Sequence, residues 1–212
     1  MKRFEFVEGD EIVIAPGRTV KRIRAIVEMV SLGVASGDLG GYIEKESQVY
    51  GNAWVYDSAQ VSGSAMVYGS ARVYDDARVY GDALVYGSAQ VSGSALVYDS
   101  ALVYGNARVY GNAQVSGDAL VYDSAQVSGS ALVYGNGLIC WFSNVGSEDG
   151  TLTIYNTKDN CIEVTRGCFQ GTPEEFLAAS AEKHDERIQH EYRLLIEVGI
   201  SRVTAARAKE EA

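Results

Sequence analysis

From position 83 the chain reads Ala83-Leu84-Val85-Tyr86-Gly87-Ser88, then Ala89-Gln90-Val91-Ser92-Gly93-Ser94, then Ala95-Leu96-Val97-Tyr98-Asp99-Ser100. The period is six. Valine holds every sixth position from Val49 to Val133, 15 in succession, and Ile43, Ile139 and Val145 prolong the register to 18 positions. Alanine keeps the same beat from Ala53 to Ala131, with Gly137 in the next place. In a segment such as Leu84-Val85-Tyr86, neighbouring side chains point to opposite faces, so valine points one way and its flanks the other. Valine is β-branched and suits a short strand. The Gly or Asp that follows, then Asn, Ser or Asp, is turn chemistry that tolerates unusual backbone angles. Alanine then turns inward at a corner too tight for a larger side chain. One strand and one turn every six residues cannot be a helix, and strands this short bury too little in a flat meander. Coiling the chain solves both problems, because each strand pairs with the one a full turn away.

These hexapeptides resemble the hexapeptide-repeat family, whose fold is the left-handed parallel β-helix with three hexapeptides per triangular coil. The resemblance implies about six coils and, at about 4.8 Å per coil, a prism about 29 Å long. The expected class is mainly β: a left-handed parallel β-helix with an N-terminal β cap and a C-terminal β-hairpin plus helices. The expected boundaries are 1–42 for the cap, 43–145 for the repeats and 146–212 for the C-terminal module.

An open β-helix leaves strand edges at both ends, so caps are required. Phe4, Phe6 and Ile12 to Ile14 predict a short hairpin, and Ile23, Ala25, Val27 and Met29 alternate as a strand. Ser36-Gly37-Asp38-Leu39-Gly40-Gly41 then bends the chain into the first coil. Beyond Val145, Thr151 to Tyr155 and Ile162 to Thr165 predict a hairpin around Lys158-Asp159-Asn160. Thr172, Pro173 and Glu175 form a helix start with a capping box. A second helix is expected from about Glu186 to Val198, with Ile188, Tyr192, Leu195 and Ile196 on one face. The tail from Ala205 is expected to fray.

Three coil faces follow from an 18-residue turn. One carries Tyr50, Tyr68, Tyr86, Tyr104 and Tyr122 beside Gln48, Met66, Leu84, Leu102, Leu120 and Leu138. The second mixes Tyr and Ser with Trp54, Arg72, Gln90, Arg108 and Gln126; the third mixes Tyr and Ser with Gln60, Arg78, Leu96, Gln114 and Leu132. Only the first is a continuous Leu/Met and Tyr surface, and soluble monomers avoid exposed apolar patches of that size. The expectation is that Tyr50, Met66, Tyr68, Leu84, Tyr86, Leu102, Tyr104, Leu120 and Tyr122 are an interface. A homotrimer about a common axis is the leading arrangement, as is usual among proteins of the resembled fold. The C-terminal helices folding back over the face is the second, and a ligand platform the third.

The ends narrow the resemblance. Gly17-Arg18-Thr19-Val20-Lys21-Arg22-Ile23-Arg24-Ala25, Gly37-Asp38-Leu39-Gly40-Gly41-Tyr42-Ile43-Glu44 and Val164-Thr165-Arg166-Gly167-Cys168-Phe169-Gln170-Gly171-Thr172, with the tyrosine-rich repeats, are similar to a group of phage and prophage-encoded hexapeptide-repeat proteins. The likeness implies a context rather than a reaction.

The search for chemistry is mostly negative. Acyltransferases of the resembled fold need a catalytic histidine, yet residues 43–139 contain none; His184 and His190 fall in the helical region. The three-histidine zinc site of γ-type carbonic anhydrases has no counterpart in this sequence. Cys140, Cys161 and Cys168 are an odd number, so a reducing cytoplasm is expected, and Cys161 and Cys168, which bracket a predicted strand without metal-ligand spacing, are expected as buried free thiols. Neither a cofactor nor a metal is expected. No apolar run reaches transmembrane length, and acidic residues at Glu5 and Glu8 arrive too early for a signal peptide. The net charge of −10 argues against nucleic acid. Arg18, Lys21, Arg22 and Arg24 form a local basic cluster that, with Arg166, is a candidate site for an anion such as a nucleotide phosphate. The leading functional expectation is a non-catalytic structural or interaction protein of phage origin in the host cytoplasm. Sequestration of a small nucleotide signal is the alternative, with acyl transfer third and a host protein as a further candidate partner.

Overall fold

The computed structural model describes residues 2–210, with the side chain of Glu210 left out of account. From Ile43 to Val133 the chain winds as a β-solenoid of about five turns. Strands of two residues recur at each hexapeptide, and each pairs in parallel with the strand 18 positions away: Val91 lies between Val73 and Val109. Three parallel sheets result. Trp54–Val55 to Gln126–Val127 make one of five rungs; Met66–Val67 to Leu120–Val121 make another of four, prolonged by a bridge from Val49 to Val67. The third runs from Leu39–Ile43 to Leu132–Val133.

Valines 55 to 133 and alanines 59 to 131 of the register have no exposed surface. They form one axial core, and each buried valine is worth about 1.5–3 kcal/mol of transfer free energy. The corner residue after each outward Tyr or Ser adopts a left-handed backbone, from Gly51 at φ 70° to Gly129 at φ 61°. Asp57, Asp75, Asp99 and Asp123 take the same conformation. This is why only Gly and Asp occur there: glycine has no Cβ to clash, and a short polar side chain tolerates the region.

The turn count is close to the expected six. The difference lies at the C-terminal end, where Ile139 and Val145 keep the period but leave the coil. They begin and end strand Ile139–Val145, which pairs antiparallel with Gly150–Asn156. A 3-10 turn at Asn136–Leu138 makes the break.

At the other end, strands Phe4–Ala15 and Arg18–Ala25 form one long hairpin around Pro16-Gly17. The expected short hairpin within residues 4–14 is instead a single strand, with a bulge between Phe6 and Glu11 that contains Gly9 at φ 77°. The strand expected through Met29 stops at Ala25, and Val30–Leu32 is a 3-10 turn. The hairpin pairs antiparallel with Leu39–Ile43, which itself starts the parallel sheet. Phe4, Ile23, Met29, Leu32 and Val34 thereby close the open core. Trp54, expected on an outward face, is buried beneath this cap, edge-on to Phe4 at 6.2 Å. The close approach requires Gly40, where a Cβ would lie 2.8 Å from the Trp54 ring and 2.7 Å from Ile23 of the hairpin.

The far end is closed by the antiparallel sheet Ile139–Val145, Gly150–Asn156, Ile162–Arg166 and Phe169–Gly171. Its polar side chains occupy backbone groups that the last coil would leave unpaired. Gln126 donates its N–H to Thr153 Oγ1 at 3.0 Å, Thr165 Oγ1 donates to the Gln126 carbonyl at 2.8 Å, and Asn156 Nδ2 donates to the Leu132 carbonyl at 3.1 Å. Tyr155 is fully buried, and burial raises its phenol far above the ordinary value.

Helix α1 (Pro173–Lys183) starts with the expected capping box: Glu175 donates its N–H to Thr172 Oγ1 at 3.2 Å, and Thr172 donates its N–H to Glu175 Oε2 at 2.8 Å. Helix α2 (Glu186–Glu210) runs further than the expected Val198. The tail expected to fray from Ala205 is helical to Glu210 because Ala206 packs on the solenoid end and Arg207 donates to Asn156 Oδ1 at 2.6 Å. Residues 211 and 212 of that tail lie outside the described residues.

Candidate functional site

The repeat places Met66, Leu84, Leu102 and Leu120 in one column, each beside the next in parallel register. The tyrosine column next to it is a regular stack. Tyr50, Tyr68, Tyr86, Tyr104 and Tyr122 follow one another at 4.9–5.0 Å between ring centroids, within 6° of parallel. Their spacing is the strand spacing of the coil, so the backbone dictates the stack. Each such aromatic pair adds about 0.5–1.5 kcal/mol beyond its buried area. Trp141 ends the stack, edge-on to Tyr122 at 4.4 Å.

Both ends of the column are closed. Gln48 is buried, its amide oxygen accepting the N–H groups of Glu44 and Lys45, and Leu138 is buried at the far end. The middle rungs, from Met66 to Leu120 and from Tyr68 to Tyr122, remain half-exposed, and Tyr50 is exposed. The helices do not fold back over this face as the second arrangement expected. They pack instead on the C-terminal sheet, where Phe176, Ile188, Tyr192, Ile196 and Val203 share a core with Cys140, Leu152, Ile154 and Val164. A cleft of about 460 Å³ lies where the face meets that module, lined by Leu120, Tyr122, Trp141, Phe142 and Arg202. Another of about 460 Å³ lies at the N-terminal end, beside Lys2, Arg3, Glu46 and Tyr50.

The other two faces differ in kind. Tyr80 and Tyr98 stack at 5.0 Å, and Tyr56 and Tyr74 lie tilted at 5.2 Å. Each pair lies on its own face, where a serine, Ser92 or Ser116, interrupts the column beyond it, and arginines 72, 78 and 108 stand on these faces.

The nominated basic cluster separates. Arg18 pairs with Glu44 at 2.6 Å, Arg22 with Asp10 at 3.7 Å and the Tyr42 hydroxyl at 2.9 Å, and Arg24 with Glu5 at 3.8 Å. Lys21 sits 6.0 Å from the Phe6 ring centroid. Arg18 holds the Glu44 carboxyl below its ordinary value, chiefly through their hydrogen bond. Arg18 and Arg22 tie the hairpin to the first coil through Glu44 and Tyr42, while Arg24 and Lys21 face Glu5 and Phe6 within the hairpin itself. Arg166 is not with them: it ends a strand of the C-terminal sheet, at the opposite end of the solenoid.

The thiols also separate. Cys140 is buried, and burial pushes it up to about 11, while Cys161 and Cys168 are exposed, contrary to the expectation of buried thiols. Both lie in turns between strands, where side chains reach solvent. His190 is exposed, and His184 is half-buried and tilted against Tyr192 at 5.7 Å. That contact crosses from the end of α1 to α2, and no local pattern announces it. Among the described residues no helix is long and apolar enough to cross a membrane.

Comparison with known proteins agrees with this architecture. No curated protein matches the chain. A family model described as YdcK Beta solenoid repeat matches at residues 47–63, 59–75, 71–87, 77–93, 89–105, 101–114 and 113–129. The matches start 6 or 12 residues apart, whole multiples of the hexapeptide. The chain is a repeat β-solenoid protein, similar over residues 47–129 to the YdcK beta solenoid repeat.

Proposed function

We propose that this is a non-catalytic structural or interaction protein, a stiff solenoid rod that assembles as a homotrimer through its Leu/Tyr face. The observation that carries the reading is the half-exposed column of Met66, Leu84, Leu102 and Leu120 beside five stacked tyrosines, whose middle rungs neither cap covers. The chain bears a net charge of −10, yet this column has no charged side chain. Copies can therefore meet there without like-charge repulsion. The likeness of the end segments to phage-encoded hexapeptide-repeat proteins supports a phage-derived role, and three free thiols are in keeping with a reducing host cytoplasm.

The alternatives draw less support. The N-terminal arginines proposed for a nucleotide phosphate face Glu44, Asp10 and Glu5. The coil that would carry acyl transfer holds no histidine between residues 43 and 139. Light scattering on the purified chain is expected to give three times the 22.8 kDa chain mass. Leu102→Asp puts a carboxylate into the interface at a cost on the order of 3 kcal/mol or more, and should yield a monomer with an unchanged circular dichroism spectrum. A parent chain that is monomeric at every concentration overturns the reading.

A further inference from the structure

The C-terminal module contains a pocket of about 230 Å³ that the proposed rod function does not use. Strand Ile162–Arg166 delivers Arg166 to it, the turn after that strand delivers Cys168, α1 delivers Ser180 and Lys183, and His184, the residue that caps α1, also lines it. Its apolar side is a chain of edge-on rings: Phe169 to Phe176 at 5.2 Å, and Phe176 to Tyr192 at 4.9 Å.

Two features set this pocket apart from ordinary packing. Among the described residues, three buried side-chain polar atoms lack a hydrogen-bond partner: Arg22 Nε, Arg166 Nε and Ser180 Oγ. Two of the three belong to residues that line this one pocket, Arg166 and Ser180. The second feature is charge. The Arg166 side chain is only 11% exposed, yet its nearest carboxylate, on Glu148, is 4.0 Å away on a side chain that is 82% exposed. Its Nη2 donates to the Val145 carbonyl at 3.2 Å. A buried guanidinium with so distant a counter-ion is costly unless an anion joins it. Lys183, near the C-terminal end of α1, adds a second positive charge at the rim.

We propose that this pocket binds a small organic anion: one carboxylate or phosphate group on a compact aromatic body. The anionic group meets the Arg166 fork, which suits either oxyanion, with Lys183 as the second cation. The body lies against Phe169, Phe176 and Tyr192. At 230 Å³ the pocket is smaller than the usual range for drug-sized ligands, which limits the body to about one ring.

Cys168 and Cys161 give a readout within the full-length chain, since both are exposed and only Cys168 lines the pocket. Iodoacetamide alkylation of each is followed by peptide mass mapping, with benzoate, phenyl phosphate or neutral benzamide present. At an anion concentration about ten times Kd the free fraction falls to about one tenth, so Cys168 should react about tenfold more slowly while Cys161 is unchanged. Protection by benzoate alone assigns a carboxylate, and by phenyl phosphate alone a phosphate. Arg166→Gln should abolish the protection. Lys183→Gln changes an exposed residue and should weaken protection severalfold, with melting unaltered. Equal Cys168 rates with and without millimolar anion overturn the proposal. So does protection by benzamide as strong as that by the anions, or protection that survives both substitutions.

Discussion

In the solenoid, Val97 meets Val79 on one side and Val115 on the other, the same residue in the same register. In the C-terminal module, Tyr192 of α2 packs edge-on to Phe176 of α1, and Gly199 of the same helix packs against Ile154 from the sheet. The first core is one contact repeated along an axis; the second is a set of contacts each made once. A repeated contact tolerates variation only at positions facing out, which is why Tyr, Ser, Leu, Gln and Arg alternate there while Val and Ala do not. A contact made once leaves no period in the sequence. The two regions should therefore fail differently.

The largest effect is expected at Val97→Asp. Val97 has no exposed surface and only apolar neighbours in its column, so an unpaired carboxylate there costs on the order of 4 kcal/mol or more. Each coil leans only on its neighbours, so the break isolates the capped ends from each other. The far-ultraviolet β signal and the soluble yield should both collapse. Retention of parental melting would mean that the coil absorbs a charge, and that the contrast between the two cores is misplaced.

Tyr192→Ala should cost about 3–5 kcal/mol, the range for deleting a large buried aromatic. The loss is confined to the module: helical signal at 222 nm should melt first, with the tyrosine stack intact in near-ultraviolet dichroism. Simultaneous loss of both signals would show that the module and the rod fold as one unit.

The smallest effect belongs to the N-terminal tie. Glu44 sits below its ordinary value of 4.5 because of Arg18, so the folded state favours its charged form. That contribution is complete above pH 4.5, and is lost as the pH falls through the lower folded value. Glu44→Gln should therefore lower the melting temperature by a small amount at pH 7 and flatten its decline between pH 5 and pH 3. Glu44 Oε2 also accepts the Gly63 N–H at 2.6 Å, which an amide oxygen at that position can still do. A flat pH profile in the parent would remove the ion pair from the account of how the hairpin is held.

The coil and its inward Val and Ala were legible because every hexapeptide states the same local solution. The Leu/Tyr column was legible for the same reason, since an 18-residue turn converts a sequence interval into a stack. The capping box at Thr172 was readable as well, because its partners are three residues apart. What was not readable involves long-range choice. Ile139 and Val145 keep the repeat but belong to the antiparallel sheet. Trp54 sits at an outward repeat position and is buried because the hairpin covers it. The nominated arginines could not be sorted by spacing, for Arg18, Arg22 and Arg24 find carboxylates on neighbouring strands while Arg166 faces an exposed one. The pocket beside Arg166 had one signal in the sequence, the arginine itself; Ser180, Lys183 and Tyr192 joined it only through helix packing.

By itself the sequence determined the solenoid, its corners and the position of every tyrosine on its faces, because nearest-neighbour coils repeat a single short-range interaction. The tertiary structure alone decided where the coil stops, how each end is sealed and which buried arginine has only an exposed carboxylate for a counter-ion. Those outcomes depend on segments far apart in the chain meeting once, and a contact made once has no periodic trace.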